Sequence, residues 1–150
     1  LYCVKGETHV DNHTIVDNVM PHSFSNELYK GIIDENATGV FNGKIFVRQD
    51  AQKTNAYQSN KNILLSDTAN VNTKPQLEIF ADDVKCSHGC TVGRLDEEAL
   101  FYLKARGIGD KEAKALLLHA FAGEILDKIE LEPIRTYADQ IISERLGFEI

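Results

Sequence analysis

The chain has 150 residues, 43% of them hydrophobic and 26% charged, which is the composition of one ordinary globular protein with room for a sizeable core. Its formal net charge of −7 disfavours nucleic acid and anionic membrane surfaces as main partners, because both would repel it. The three cysteines are an odd number without a disulfide spacing, so we expect a reducing cytoplasmic environment.

The sequence opens at Leu1 without a methionine or a signal-peptide pattern, which favours a piece cut from a longer protein. The most apolar run, residues 113–121, contains Lys114 and His119 and is far too short to span a bilayer. We therefore predict no membrane segment.

The first stretch, residues 1–18, alternates apolar and polar side chains and is predicted to be extended. On such a strand His9, Asp11 and His13 share one face, because alternate side chains point the same way. That face could hold a metal ion. A solvated or hydrogen-bonded polar strand face is the alternative interpretation.

Short strands are predicted along the rest of the first half, at residues 28–34, 39–41, 44–49, 63–66 and 76–81. The corners between them are predicted at asparagine-containing segments, namely residues 35–36, 42–43, 60–62 and 70–72. An antiparallel sandwich or barrel and a parallel β-helix both fit strands without intervening helices. We favour the β-helix, since these corners recur at about 20-residue intervals and asparagine tolerates left-handed corner conformations.

Two cysteines and a histidine alternate near the end of the β portion. On an extended strand Cys86 and His88 share a face, and Cys90 can join them. Thiolate and imidazole ligands together suit zinc, iron or an iron–sulfur cluster. A closed zinc site needs four ligands, however, and the sequence has no second pair of suitable spacing. The alternative interpretation is that the cysteines fill a β core as small apolar residues while His88 caps a turn.

Beyond the β portion, residues 1–93, the pattern changes to a helical domain, residues 94–150, with three predicted helices. Asp96 and Asp110 are predicted N-caps, Pro133 is placed in the first turn of the third helix, and Gly147 is predicted to end that helix. The second helix has apolar residues at helical spacing, which are Ala113, Leu116, Leu117, Ala120, Phe121, Ile125 and Ile129. This apolar face is either core or a surface for a partner.

The sequence contains no phosphate-binding glycine loop, no nucleophile elbow and no basic-aromatic stripe. Asp82 and Asp83 are adjacent, so on a strand they would face opposite ways and could not flank a glycosidic bond. The sequence therefore offers no established catalytic set.

Residues 74–79 and 81–89 resemble the signature of the SufB/SufD scaffold proteins of iron–sulfur cluster assembly, and the SufD branch more closely. Similar runs occur along nearly the whole chain, at residues 9–14, 28–31, 39–44, 50–54 and 95–103. The resemblance implies a right-handed parallel β-helix with two sheets, followed by a small C-terminal helical domain. It also implies that further rungs precede Leu1.

By this resemblance the chain is a non-catalytic scaffold that pairs with a SufB-like subunit and docks a SufC-type ATPase. His88 matches the expected iron ligand of a transient iron–sulfur cluster at the subunit interface, with Cys86 beside it and a partner cysteine completing the site. Cys90 stands where relatives commonly have alanine, so it is either an extra ligand or a small buried side chain, and we favour the buried side chain. The matched ATPase-docking residues are Leu116, Leu117, Phe121 and Ile125.

Two further hypotheses stand beside the scaffold. The first is a β-fold metalloprotein or metalloenzyme that uses His9, His13 and His88. The second is a carbohydrate-active β-helix, which the lack of convergent carboxylates disfavours. In isolation the exposed first rung would be an unpaired edge, so homodimerisation is also expected.

Overall fold

The computed structural model describes residues 1–147, in which seven β-strands are followed by three α-helices. The strands are β1 Tyr2–Val4, β2 His9–Asn18, β3 Phe24–Ile33, β4 Thr38–Val47, β5 Asn55–Leu64, β6 Asn70–Ile79 and β7 Lys85–Gly93. The helices are α1 Glu97–Ala105, α2 Asp110–Leu126 and α3 Glu132–Leu146. The chain divides into two compact units, one of Tyr2–Gly93 and one that comprises Leu1 and the residues from Arg94 onward.

The strands of the first unit alternate between two sheets, in the orders β1-β3-β5-β7 and β2-β4-β6. Every neighbouring pair is parallel, so the predicted β-helix is confirmed and the antiparallel alternative is wrong. One turn of the solenoid takes about 30 residues, since Tyr2 pairs with Gly31 and Asn55 with Lys85. The 20-residue period expected from the sequence was therefore too short.

The predicted corners at residues 42–43, 60–62 and 70–72 are wrong, because these segments lie inside β4, β5 and β6. The corner at residues 35–36 is confirmed. Three residues other than glycine take left-handed backbone conformations at the corners, and none is an asparagine: His22 (φ 60°), Glu35 (φ 55°) and Lys53 (φ 60°). Strands β3 to β6 have ten residues each and are longer than predicted, whereas the extended stretch predicted over residues 1–18 is divided into β1 and β2.

The interior of the solenoid has apolar layers at both ends of its strands. One contains Ile45, Val47, Ala51, Ala56 and Ala81, and the other contains Ile33, Ala37 and Ala69. Along β5 the stretch between these layers is polar, because Gln58, Asn60 and Asn62 are buried there. Two of these amides are joined in the interior, as Asn62 Nδ2 donates to Asn60 Oδ1 over 2.7 Å, whereas Asn60 Nδ2 and Gln58 Oε1 have no hydrogen-bond partner among the described residues. The asparagines thus serve the interior of the rungs and not their corners.

In the helical unit, the carboxylate of Asp96 caps α1 by accepting from the backbone N–H groups of Glu98 and Ala99, as predicted. Asp110 is not the cap of α2 but its first helical residue. Its carboxylate lies 2.7 Å from the ammonium groups of both Lys104 and Lys114, which hold the pKa of that carboxyl down at about 2.

Helices α2 and α3 pack through a small apolar core, formed by Ala122, Leu126 and Ile142 with Ile129, Ala138 and Leu146 around them. Pro133 lies in the first turn of α3, and Gly147 ends that helix with a left-handed φ of 78°, as the sequence predicts. None of the helices in residues 1–147 has the length and apolar character required to cross a bilayer.

Candidate functional site

The candidate ligands lie on β7, the last strand of the four-stranded sheet. Its register with β5 pairs Cys86 with Ala56, His88 with Gln58 and Cys90 with Asn60. In-register residues of parallel strands face the same side, and these three residues of β5 are all buried in the interior. Cys86, His88 and Cys90 therefore all lie on the interior-facing side of β7, as the spacing predicts.

The two cysteines of this strand differ in their surroundings. Cys86 is half-buried and packs against the apolar layer that contains Ala56 and Ile45, and this burial raises the pKa of its thiol. A backbone hydrogen bond at Ala56 opposes the rise. Cys90 is exposed, so the interpretation of Cys90 as a buried side chain is wrong. Among the described residues, β7 pairs only with β5, so no strand lies over its other edge.

The donors on β7 do not form a complete metal site by themselves. Residues two apart on a strand are separated by about 6.6 Å along it, which spreads Cys86, His88 and Cys90 over about 13 Å. Within residues 1–147, no group of three or more histidine, cysteine, aspartate or glutamate side chains is arranged to hold a metal ion. The chemistry of the donors fits iron, but their number and spread require further ligands.

Two buried amide side chains of β5 that the sequence reasoning missed lie directly below the candidate ligands: Gln58 below His88 and Asn60 below Cys90. Gln58 Nε2 donates to Glu27 Oε2 over 2.7 Å, while Gln58 Oε1 is buried and accepts no hydrogen bond from the described residues. Tyr2 donates from its hydroxyl to Asn62 over 2.6 Å, and burial raises the pKa of this phenol although the Asn60 amide opposes it. The amide side chains at alternate positions 58, 60 and 62 could have indicated this buried polar face, but the sequence pattern predicts a corner at residues 60–62.

The histidines of β2 lie on the other sheet, away from His88. His9, Asp11 and His13 are exposed on one face of β2, as predicted. His13 Nδ1 is 2.9 Å from Asp11 Oδ1, and its Nε2 is 3.0 Å from Asn42 Nδ2. Both ring nitrogens of His13 therefore have polar partners on the surface of this sheet. The hypothesis of a metal site formed by His9, His13 and His88 is wrong, because His9 and His13 lie on a different sheet from His88 and the described residues form no such group.

The residues of α2 that are predicted to dock an ATPase are not among its fully buried residues. Leu116 is exposed, whereas Leu117, Phe121 and Ile125 are half-buried. The buried residues of α2 are Ala113, Ala115, Leu118, Ala122 and Leu126, of which the apolar spacing identified only Ala113. The reason is that α2 is apolar on most of its circumference, so periodicity does not distinguish its core side. An exposed apolar stripe on α3, formed by Ile134, Tyr137 and Ile141, was also missed.

A family model described as "SUF system FeS cluster assembly, SufBD core domain" matches residues 1–121. The chain belongs to this SufBD family. It is 49% identical over 135 residues to an iron–sulfur cluster assembly SufBD family protein of Synechocystis, covering 90% of this chain and 30% of that protein. It is 43% identical over 143 residues to the iron–sulfur cluster assembly protein SufD of Escherichia coli, covering 95% and 34%.

The SufD protein of Bacillus subtilis is 31% identical over 119 residues, which is 79% of this chain and 27% of that protein. The resemblance inferred from the sequence is therefore confirmed. The SufBD chain described here spans about a third of the length of these relatives.

Proposed function

We propose that this SufBD chain is part of a SufD-like scaffold whose His88 is a ligand of a transient iron–sulfur cluster, with Cys86 beside it, at an interface with a SufB-like subunit. The observation that carries the proposal is the position of His88. It is exposed on the interior-facing side of β7, at the end of a sheet where no described strand follows.

A shared site accounts for the donor set of this chain. Iron–sulfur clusters are held by four ligands, mostly cysteine thiolates with histidine as an occasional replacement. His88, Cys86 and Cys90 are too few and too spread out to surround one cluster. A SufB-like partner that contributes a cysteine opposite His88 supplies what is missing. The cluster is the cargo of the assembly and not a resident cofactor of this chain.

The scaffold role without catalysis follows from the family resemblance. Asp82 and Asp83 lie in the corner between β6 and β7 and not on a strand. The backbone N–H of Asp83 donates to Gln52 Oε1 over 2.9 Å, which gives this segment a structural role. No reaction is assigned to the chain, and its contribution is to position ligands and partners.

The second part of the proposal is that α2 docks a SufC-type ATPase through Leu116, Leu117, Phe121 and Ile125. These side chains lie outside the core formed with α3, and each keeps some exposed surface. Partly exposed apolar side chains on a helix are what a partner helix or groove can cover. The alternative to a partner protein is homodimerisation of the isolated chain, because β1 and β2 are edge strands whose unpaired backbone groups can pair with a second copy.

The cluster site is tested by co-expressing the full-length parent protein with its SufB-like and SufC-like partners and purifying the complex without oxygen. His88→Ala is compared with wild type and with His9→Ala, which removes an exposed histidine of the same solenoid. We expect iron content and visible absorbance to fall only in His88→Ala, while the complex elutes unchanged. Equal iron in all three complexes would show that His88 is not a ligand.

The docking surface is tested in the same co-expression system. Leu116→Asp combined with Phe121→Ala is expected to release the ATPase while the SufB-like partner stays bound. Phe101→Asp, on an exposed apolar residue of α1, is the matched control and should leave the ATPase bound. Retention of the ATPase by the α2 variant would place its docking surface elsewhere.

A further inference from the structure

Three side chains form a column through the four-stranded sheet. The register pairs Glu27 of β3 with Gln58 of β5, and Gln58 with His88 of β7. Neighbouring strands lie about 4.8 Å apart, so each side chain of the column lies directly over the next. Gln58, the middle member, is 2% exposed, while His88 at the end of the column is exposed.

The amide of Gln58 has a defined orientation. An ionised carboxylate only accepts hydrogen bonds, so the nitrogen of Gln58, and not its oxygen, must face Glu27 Oε2 at 2.7 Å. The amide oxygen, Gln58 Oε1, is therefore the atom that does not face Glu27. Oε1 is buried and accepts no hydrogen bond within the part of the chain that is described.

The opposite sheet holds the Gln58 amide in this position. A Cβ atom on Gly43 would lie 2.6 Å from Gln58 Nε2 and 2.9 Å from Gln58 Cδ. The missing side chain of Gly43 therefore leaves the space that the amide occupies. Side chains locked in this way by packing are suited to orient a ligand residue.

We propose that Gln58 is a positioning residue for His88: its Oε1 accepts the N–H of one ring nitrogen of His88 and directs the other ring nitrogen toward the metal. A metal-bound histidine donates its second ring N–H to an acceptor that fixes its tautomer and ring orientation. The buried, unpartnered oxygen in register with His88 is such an acceptor. This inference rests on the proposed cluster site, and the experiment below separates the two.

The first measurement needs no metal. The full-length protein is labelled with 15N-histidine, kept metal-free, and studied by NMR at about pH 8, where an ordinary imidazole is neutral. His88 is assigned by its absence in His88→Ala. In wild type we expect one dominant tautomer. Gln58→Met removes the acceptor at similar length and should bring His88 toward the tautomer mixture of a free imidazole.

Two further variants make this measurement decisive. Asn62→Leu removes a buried amide from the same face of β5 but lies in register with Val92, so the His88 tautomer should not change. Glu27→Gln permits the Gln58 amide to turn over, so it should loosen the tautomer preference without deleting the acceptor. The same tautomer populations in wild type and Gln58→Met would overturn the proposal, and so would an equal change in Asn62→Leu.

The second measurement is the retention of iron by the purified complex against a chelator. Loss of an acceptor behind a metal-bound histidine weakens metal binding by about 10–100-fold, and we expect a loss of this size in Gln58→Met but not in Asn62→Leu. If His88→Ala loses iron while Gln58→Met changes neither iron nor tautomer, the cluster site stands and the positioning role is wrong. If His88→Ala keeps its iron, both are wrong.

Discussion

Alanine at position 43 would place a methyl group where two side chains already lie. The new Cβ would be 2.5 Å from Cζ of Phe41 and 2.6 Å from Nε2 of Gln58, both closer than real Cβ atoms approach other groups. Phe41 is fully buried, and its ring centroid lies 4.7 Å from that of Tyr29. The aromatic ring therefore has no open space into which it can retreat, and the Gln58 amide must shift as well.

The expected magnitude follows from two opposing terms. Forcing an extra methyl into a packed interior costs about 1–3 kcal/mol. Removing a glycine stabilises by about 0.4–1 kcal/mol, because the unfolded chain loses conformational freedom. The matched control is Gly89→Ala on β7, where a Cβ would meet no atom within 4 Å. Only the second term applies there, so Gly43→Ala should be less stable than Gly89→Ala by about 1–3 kcal/mol.

The assay is equilibrium urea unfolding of both variants and wild type, followed by the far-UV circular dichroism of the β-helix. Because similar surface is exposed in each case, the slopes should agree and the midpoints should differ. A Gly43→Ala midpoint equal to or above that of Gly89→Ala would refute the packing described for Phe41, Gly43 and Gln58.

Three further outcomes are expected. Phe41→Ala should lower the free energy of unfolding by about 3–5 kcal/mol, whereas Phe101→Ala, on a ring that is 74% exposed, should change it by less than about 0.5 kcal/mol in the same urea assay. Cys86→Ser should destabilise by about 1 kcal/mol because a hydroxyl enters the apolar layer, while Cys90→Ser on the exposed thiol should leave the urea midpoint unchanged. The pKa of Asp110 is lowered from 3.8 to about 2 by its two lysine partners, so its stabilising contribution is fully present above about pH 4 and is lost as the pH falls toward 2. Asp110→Asn should therefore flatten the acid dependence of helical stability in this range, measured by circular dichroism between pH 5 and about 2; an unchanged curve would contradict the ion pairs.

The amino-acid sequence by itself determined the features that depend on near neighbours in the chain. The change from strands to helices, the shared face of Cys86, His88 and Cys90, the cap at Asp96 and the stop at Gly147 were all predicted. Each follows from the period of a strand or from the backbone groups left free at a helix end. The parallel β-helix was also predicted, from strands without intervening helices and from the family resemblance.

The tertiary structure decided which residues meet across rungs. Gln58 lies 30 positions before His88, and no local pattern encodes that register, because it depends on the length of every intervening strand and corner. The same dependence explains why the asparagines of β5 were misplaced at a corner. Burial was decided at this level as well: Cys86 and Cys90 have the same spacing from His88, but only Cys86 contacts an apolar layer. The thiols differ because side chains from distant rungs surround one and not the other.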